Sequence, residues 1–337
     1  MADVDIDSGI RIGVYGATGA LGREVLQALE GHGLPIDSLV AVGGVASAGK
    51  EAYWRGSPIT VLGEQHVEID DLDVAILAVP PSAAEALRGP LIDAGVFVVD
   101  LAASGGQGAL PLMWPSLNAD ALETHPGGVA LPCGIAGALA PLMTTLGREG
   151  AIVDLDVTAL MSAQAVGRQG AQALSSQTVA LLNQRLPSAG PFGGVLAFNL
   201  LPGSPRAGVD GDPIAIQARD QLARLVPTMA DVRTSIRVVQ VPVFAGLGLA
   251  VRVQFDGDGP GAEAVEASLE SAGELRPIPD EGRLALRDTM EQDAVFLAEL
   301  AHQPGGIFRV FVATDPLHRS AWAIGAVLER VLAEDLW

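Results

Sequence analysis

Short apolar runs alternate with helix-period segments along the first part of the chain. Ile10 to Tyr15, Ser38 to Gly43, Val74 to Ala78, Val96 to Asp100 and Val129 to Leu131 read as strands, with amphipathic helices at Gly22 to Leu29 and Ala83 to Gly95. That rhythm predicts a doubly wound parallel sheet covered on both faces. Beyond Cys133 the texture changes. Longer strands are expected at Ile152 to Ala163, Ile236 to Phe244, Leu249 to Phe255 and Ile307 to Ala313, with helices around Gly170 to Asn183 and Ile214 to Leu225. This second pattern predicts an α+β domain. Gly/Pro-rich loops separate its elements at Pro187 to Gly194, Pro202 to Pro213 and Asp256 to Gly261, and a final helix with a long apolar face is expected from Ser320 to Glu334.

The first strand runs into Gly16-Ala-Thr-Gly19-Ala-Leu-Gly22. Glycine permits a tight strand-to-helix bend and lets helix N-terminal N–H groups approach a pyrophosphate. Gly16, Thr18, Gly19, Ala20, Leu21 and Gly22 are therefore candidate dinucleotide ligands, the alternative being a structural turn. After the second strand comes Ala46-Ser47-Ala48-Gly49-Lys50, where such folds place the adenosine ribose. A hydroxyl and a cation there favour a 2'-phosphate over a free ribose diol. Lys50 is the sole lysine in the chain, and its alternative is a solvated surface cation.

Length and composition set limits on these readings. The chain has 337 residues, enough for two domains, and 49% of them are hydrophobic. A formal net charge of -20 disfavours nucleic acid and anionic membranes, which need a basic face. The acidic N-terminus lacks an apolar signal core and no apolar run reaches spanning length, so a cytoplasmic protein is expected. A single cysteine excludes an intrachain disulfide. Cys133 is either a buried small hydrophobe or a working thiol, and its place ahead of a potential helix start at Gly134 suits a stabilised thiolate.

Several ordered segments resemble the aspartate-semialdehyde dehydrogenase family over nearly the whole chain. They are Gly16 to Val25, Ser47 to Lys50, Leu110-Pro-Leu-Met-Trp-Pro-Ser-Leu-Asn118, Gln164-Ala-Val, Ala197-Phe-Asn-Leu-Leu-Pro202, Val241-Pro-Val-Phe-Ala-Gly246 and Asp315-Pro-Leu-His-Arg319. The resemblance implies a Rossmann-type doubly wound parallel sheet with an inserted α+β catalytic and dimerisation domain. The nucleotide domain is expected at 1–134 plus 314–337, and the inserted domain at 135–313. It further implies a homodimer, NADP as cofactor with NAD as the alternative, and an acyl-phosphate/aldehyde substrate pair of aspartate-family amino-acid biosynthesis. Cys133 would form the thioester, and Gln164 would serve in the catalytic shell.

The departures from that pattern bear on the chemistry. Gln240 stands where the family has its substrate-binding arginine and Leu247 where it has its catalytic histidine. Leucine transfers no proton, and glutamine makes no charge-assisted clamp on a carboxylate. Arg237 lies an odd number of strand positions from Gln240 and should face the other way. Ala102 to Gly106 lacks the phosphate-binding arginine, and the acid and lysine expected along Ile214 to Leu225 have no match. Ile324 replaces the nicotinamide-holding asparagine. Leu131-Pro-Cys133-Gly134 departs from the usual cysteine motif, and His318, read as lying in a loop before the final helix, is the histidine nearest the expected cleft. Two readings follow: a dehydrogenase of this family, or a non-catalytic paralogue that keeps the fold and nucleotide binding as a binding or regulatory dimer.

Overall fold

A computed structural model describes residues 9–103, 108–209, 211–278 and 283–337. The chain divides into two compact units, Met1–Cys133 with Leu317–Trp337, and Gly134–Pro316.

The first unit contains β1 (Ile10–Tyr15), α1 (Ala20–Gly31), β2 (Ile36–Gly43), β3 (Glu51–Trp54), β4 (Ser57–Thr60), β5 (Leu62–Gly63), β6 (Val74–Leu77), α2 (Pro81–Asp93), β7 (Phe97–Asp100) and β8 (Gly128–Ala130). Six of the strands form a sheet in the order β5-β2-β1-β6-β7-β8, with every neighbouring pair parallel. β1, β6 and β7 lie near the middle and read as almost unbroken apolar runs, as strands covered on both faces must. The hairpin of β3 and β4 was not anticipated. Each strand has only four residues and is largely exposed, and its turn, Arg55-Gly56, takes positive φ at both positions.

The second unit contains α3 (Gly134–Glu149), β9 (Ile152–Met161), α4 (Arg168–Leu182), β10 (Leu201–Pro202), α5 (Pro213–Leu225), β11 (Arg233–Gln240), β12 (Leu247–Phe255), α6 (Ala262–Ser271), β13 (Leu275–Pro277), β14 (Val295–Gln303) and β15 (Ile307–Thr314). Its mixed seven-stranded sheet runs β10-β11-β9-β12-β15-β14-β13. β9 alternates strictly, with Leu155, Val157, Ala159 and Met161 buried and Asp154, Asp156 and Thr158 half-buried. This is the signature of a sheet covered on one face only. The strand expected through Phe244 stops at Gln240, because Pro242 has no N–H to donate to a ladder. β14 escaped the sequence reading because a bulge at its centre, with Glu299 at φ +54, breaks the two-residue period.

A last helix, α7 (Pro316–Glu334), returns the chain to the first unit. It begins four residues before the expected Ser320. Pro316 is pre-set for a first helical position, where a missing N–H costs nothing. His318 therefore belongs to the first turn of α7 and not to a loop, and its side chain is only 16% exposed.

Candidate functional site

The glycine turn between β1 and α1 is fixed by sterics. Gly16 has φ +83, and a Cβ there would fall 2.3 Å from the Ala78 carbonyl oxygen. A Cβ on Gly22 would fall 2.2 Å from the Gly16 carbonyl oxygen. Both positions must be glycine. Gly19 is less constrained, with extended backbone and its N–H donated to Gly16 O at 2.9 Å. It is the N-cap of α1, which starts with Ala20 and Leu21. No side chain caps this end and no acid lies in the first turn, so the positive end of the helix dipole is left for an anion.

The loop after β2 closes over this turn. Thr18 Oγ1 donates to Ser47 Oγ at 3.0 Å, uniting two of the expected cofactor residues. Lys50 is exposed and is held through its backbone, with its N–H on Ser47 O at 3.1 Å and its carbonyl accepting from Val61 at 2.8 Å. A cleft of about 400 Å³ starts at Ala17 and Thr18 and runs between α1 and β3. Sequence reasoning missed it, because the hairpin that forms its outer wall was not foreseen.

Cys133 is half-buried and immediately precedes α3. Gln164 is half-buried in the second unit, with its N–H on Phe244 O at 3.0 Å and its carbonyl accepting from Gly167 at 2.8 Å. The two residues belong to different units.

Gln240 and Leu247 fall in one row across the second sheet. Register places Leu201, Gln240, Met161, Leu247 and Thr314 side by side on five neighbouring strands. Gln240 and Leu247 are each 4% exposed. The Gln240 amide donates to Gly203 O at 2.9 Å and Phe192 O at 3.3 Å, so it works as a cross-link between backbone segments. Arg237 is exposed and lies 3.6 Å from Asp156. Ile324 is wholly buried in α7. Ser104 to Gly106, part of the segment without a phosphate arginine, lie outside the described residues.

Other motif segments are structural anchors. Asn118 closes Leu110–Asn118 on itself, its Nδ2 donating to Leu112 O at 2.9 Å and its Oδ1 accepting from Trp114 N at 2.8 Å. The Arg319 guanidinium lies 4.9 Å above the Trp114 ring. His318 stacks on Trp322, with Nδ1 3.8 Å from Glu24 Oε2. Among the described residues no cluster of three or more His, Cys, Asp or Glu could hold a metal, and no helix is long and apolar enough to cross a membrane.

The family description "Semialdehyde dehydrogenase, NAD binding domain" matches residues 11–125, and "Semialdehyde dehydrogenase, dimerisation domain" matches residues 139–319. A USG-1 protein homolog from Azotobacter vinelandii is 28% identical over 86% of this chain and 87% of its own length. An aspartate-semialdehyde dehydrogenase from Bacillus subtilis is 25% identical over 78% of this chain and 79% of its own. A solved structure of a probable aspartate-semialdehyde dehydrogenase from Pseudomonas aeruginosa superposes with TM-score 0.86 at 24% identity, covering 97% and 98% of the two chains. Two matched domains in order, one carrying the glycine turn and one the row of Gln240 and Leu247, make the chain a member of the semialdehyde dehydrogenase family.

Proposed function

We propose that this chain is a non-catalytic member of its family that holds NADP at the glycine turn and acts as a dimeric binding or regulatory protein. The observation that carries the reading is the row of Gln240 and Leu247. Both side chains sit in the interior of the second unit. One is engaged by two carbonyls and the other is apolar, so neither supplies a proton donor or a carboxylate clamp. The open dipole of α1, the Thr18–Ser47 contact and the nearby Lys50 support retained binding of a nucleotide with a 2'-phosphate. Dimerisation through the second unit is supported by the matched family description and by the half-open face of its sheet.

The test is turnover of aspartate semialdehyde with phosphate and NADP, run beside calorimetric titration of NADP and light scattering. The expected result is NADP binding by a dimer with turnover lower by at least about 10²–10⁴-fold than a complete acid/base site gives. The half-buried Cys133 ahead of α3 favours a second reading, a dehydrogenase working through a cysteine thioester. Robust turnover abolished by Cys133→Ser would establish that reading and remove the first.

A further inference from the structure

A cavity of about 350 Å³ lies wholly within the second unit. Its apolar walls are Val166 from the turn after β9, Pro191 and Pro205 from the chain between α4 and α5, and Ile214 from the first turn of α5. Gln164, Gln240 and Leu247, the positions that the family resemblance assigns to substrate and catalysis, do not line it. Two devices hold its walls in place. Gln240 Nε2 donates to Phe192 O at 3.3 Å and to Gly203 O at 2.9 Å, which ties the segment of Pro191 to the segment of Pro205. Asp212 accepts the Ser204 N–H at 2.6 Å, the Ser204 hydroxyl at 2.8 Å and the Ile214 N–H at 3.0 Å, which fixes the bend before Arg206 against the start of α5. The Asp212 carboxylate is thereby occupied by protein donors and caps its helix.

Arg206 is the only ionisable side chain among the described lining residues. In a chain of net charge -20, the cavity therefore presents a cation where the molecule as a whole is negative. A guanidinium beside apolar walls suits a ligand that is anionic at one end and apolar over the rest. We propose that this cavity binds a small monocarboxylate with a bulky apolar body, the carboxylate pairing with Arg206 and the body lying against Val166, Pro191, Pro205 and Ile214. An amino acid of the same shape is disfavoured. Its α-ammonium would lose water beside the Arg206 guanidinium, and no carboxylate among the described lining residues would pair with it. The inference goes beyond the nucleotide reading, since the cavity belongs to one unit and needs no dinucleotide.

The test is calorimetric titration of the full chain with 3-phenylpropanoate, L-phenylalanine and acetate. 3-Phenylpropanoate should bind at least about tenfold tighter than phenylalanine, which adds only the ammonium, and than acetate, which lacks the apolar body. Arg206→Gln should weaken 3-phenylpropanoate by about tenfold or more, because a charge-assisted pair is lost. Ala165→Phe, at an exposed position that lines the cavity, should block it by filling the space. Arg206 and Ala165 are both exposed, and an unchanged thermal midpoint will show that each variant is folded. Absence of 3-phenylpropanoate binding at millimolar concentration overturns the proposal. So does binding that is indifferent to both variants, or that phenylalanine matches.

Discussion

Gly325 on α7 lies directly against the His32 imidazole at the end of α1: a Cβ at Gly325 would come within 2.1 Å of His32 Cδ2. The same ring packs 4.0 Å from Trp322 and puts Nδ1 2.9 Å from Glu329 Oε1. The contact makes a helix-interior glycine necessary where alanine would ordinarily be better by about 1 kcal/mol.

Gly325→Ala should therefore destabilise the protein by about 1–3 kcal/mol through overpacking. In the His32→Ala background the same change should be neutral or stabilising. Urea unfolding of the four proteins in this cycle measures the coupling, and simple additivity would show that the contact is not felt.

Arg88 on α2 and Asp100 at the end of β7 form an ion pair at 3.2 Å with side chains 3% and 0% exposed. Removing one partner strands a charge in the interior, so Arg88→Met should cost about 3–5 kcal/mol. Asp100 also accepts the Ala102 N–H at 2.8 Å, so the variant should loosen the chain after β7 as well. Hydrogen exchange at Ala102, read beside the unfolding midpoint, separates the local from the global effect.

Gln177 of α4 is 2% exposed and organises the loop that follows its helix. Its Nε2 donates to the carbonyls of Ser188, Ala189 and Gly194, and its Oε1 accepts the N–H groups of Leu196 and Ala197. Gln177→Met leaves buried backbone groups without partners and should cost more than about 2 kcal/mol. Cleavage by a nonspecific protease should then move to residues 185–195 under conditions in which the parent protein is resistant.

Burial, followed by the nearby Glu64 charge, pushes the Tyr15 phenol up to about 12. An unfolded tyrosine ionises near pH 10. Between those values the unfolded chain has released a proton that the folded chain still holds, so the contribution of Tyr15 to stability is level below about pH 10 and falls as pH rises towards 12. Tyr15→Phe should reduce that alkaline slope, as measured by denaturant unfolding at successive pH values. An unchanged slope would assign the loss to other groups.

Lys50→Glu should weaken NADP by about tenfold or more while leaving NAD within about twofold, because it reverses the charge beside the proposed 2'-phosphate position. Paired calorimetric titrations read the ratio directly.

The parallel sheet of the first unit was legible because buried strands read as apolar runs, and Gly16 and Gly22 marked the turn by the contacts a Cβ would make. The outer wall of the cleft between α1 and β3 was not. β3 and β4 are four-residue strands with exposed side chains, and neither periodicity nor composition separates such a hairpin from a loop. In the second unit the chemistry of Gln240 and Leu247 was readable from residue type alone. Their union in a single row was not, because register between β11, β9 and β12 depends on strand ends that the sequence left several residues uncertain. The start of α7 was missed for a local reason, since Pro316 reads as a loop residue until its helical position is known.

The first unit is assembled from two stretches separated by the entire second unit, residues 134–316. On a translating ribosome its N-terminal stretch emerges long before α7 exists, so His32 waits for Trp322 and Gly325 until the whole second unit has been made. The second unit is contiguous and meets no such delay. Synthesis therefore sets an order in which the second unit can fold while the first still lacks its closing helix.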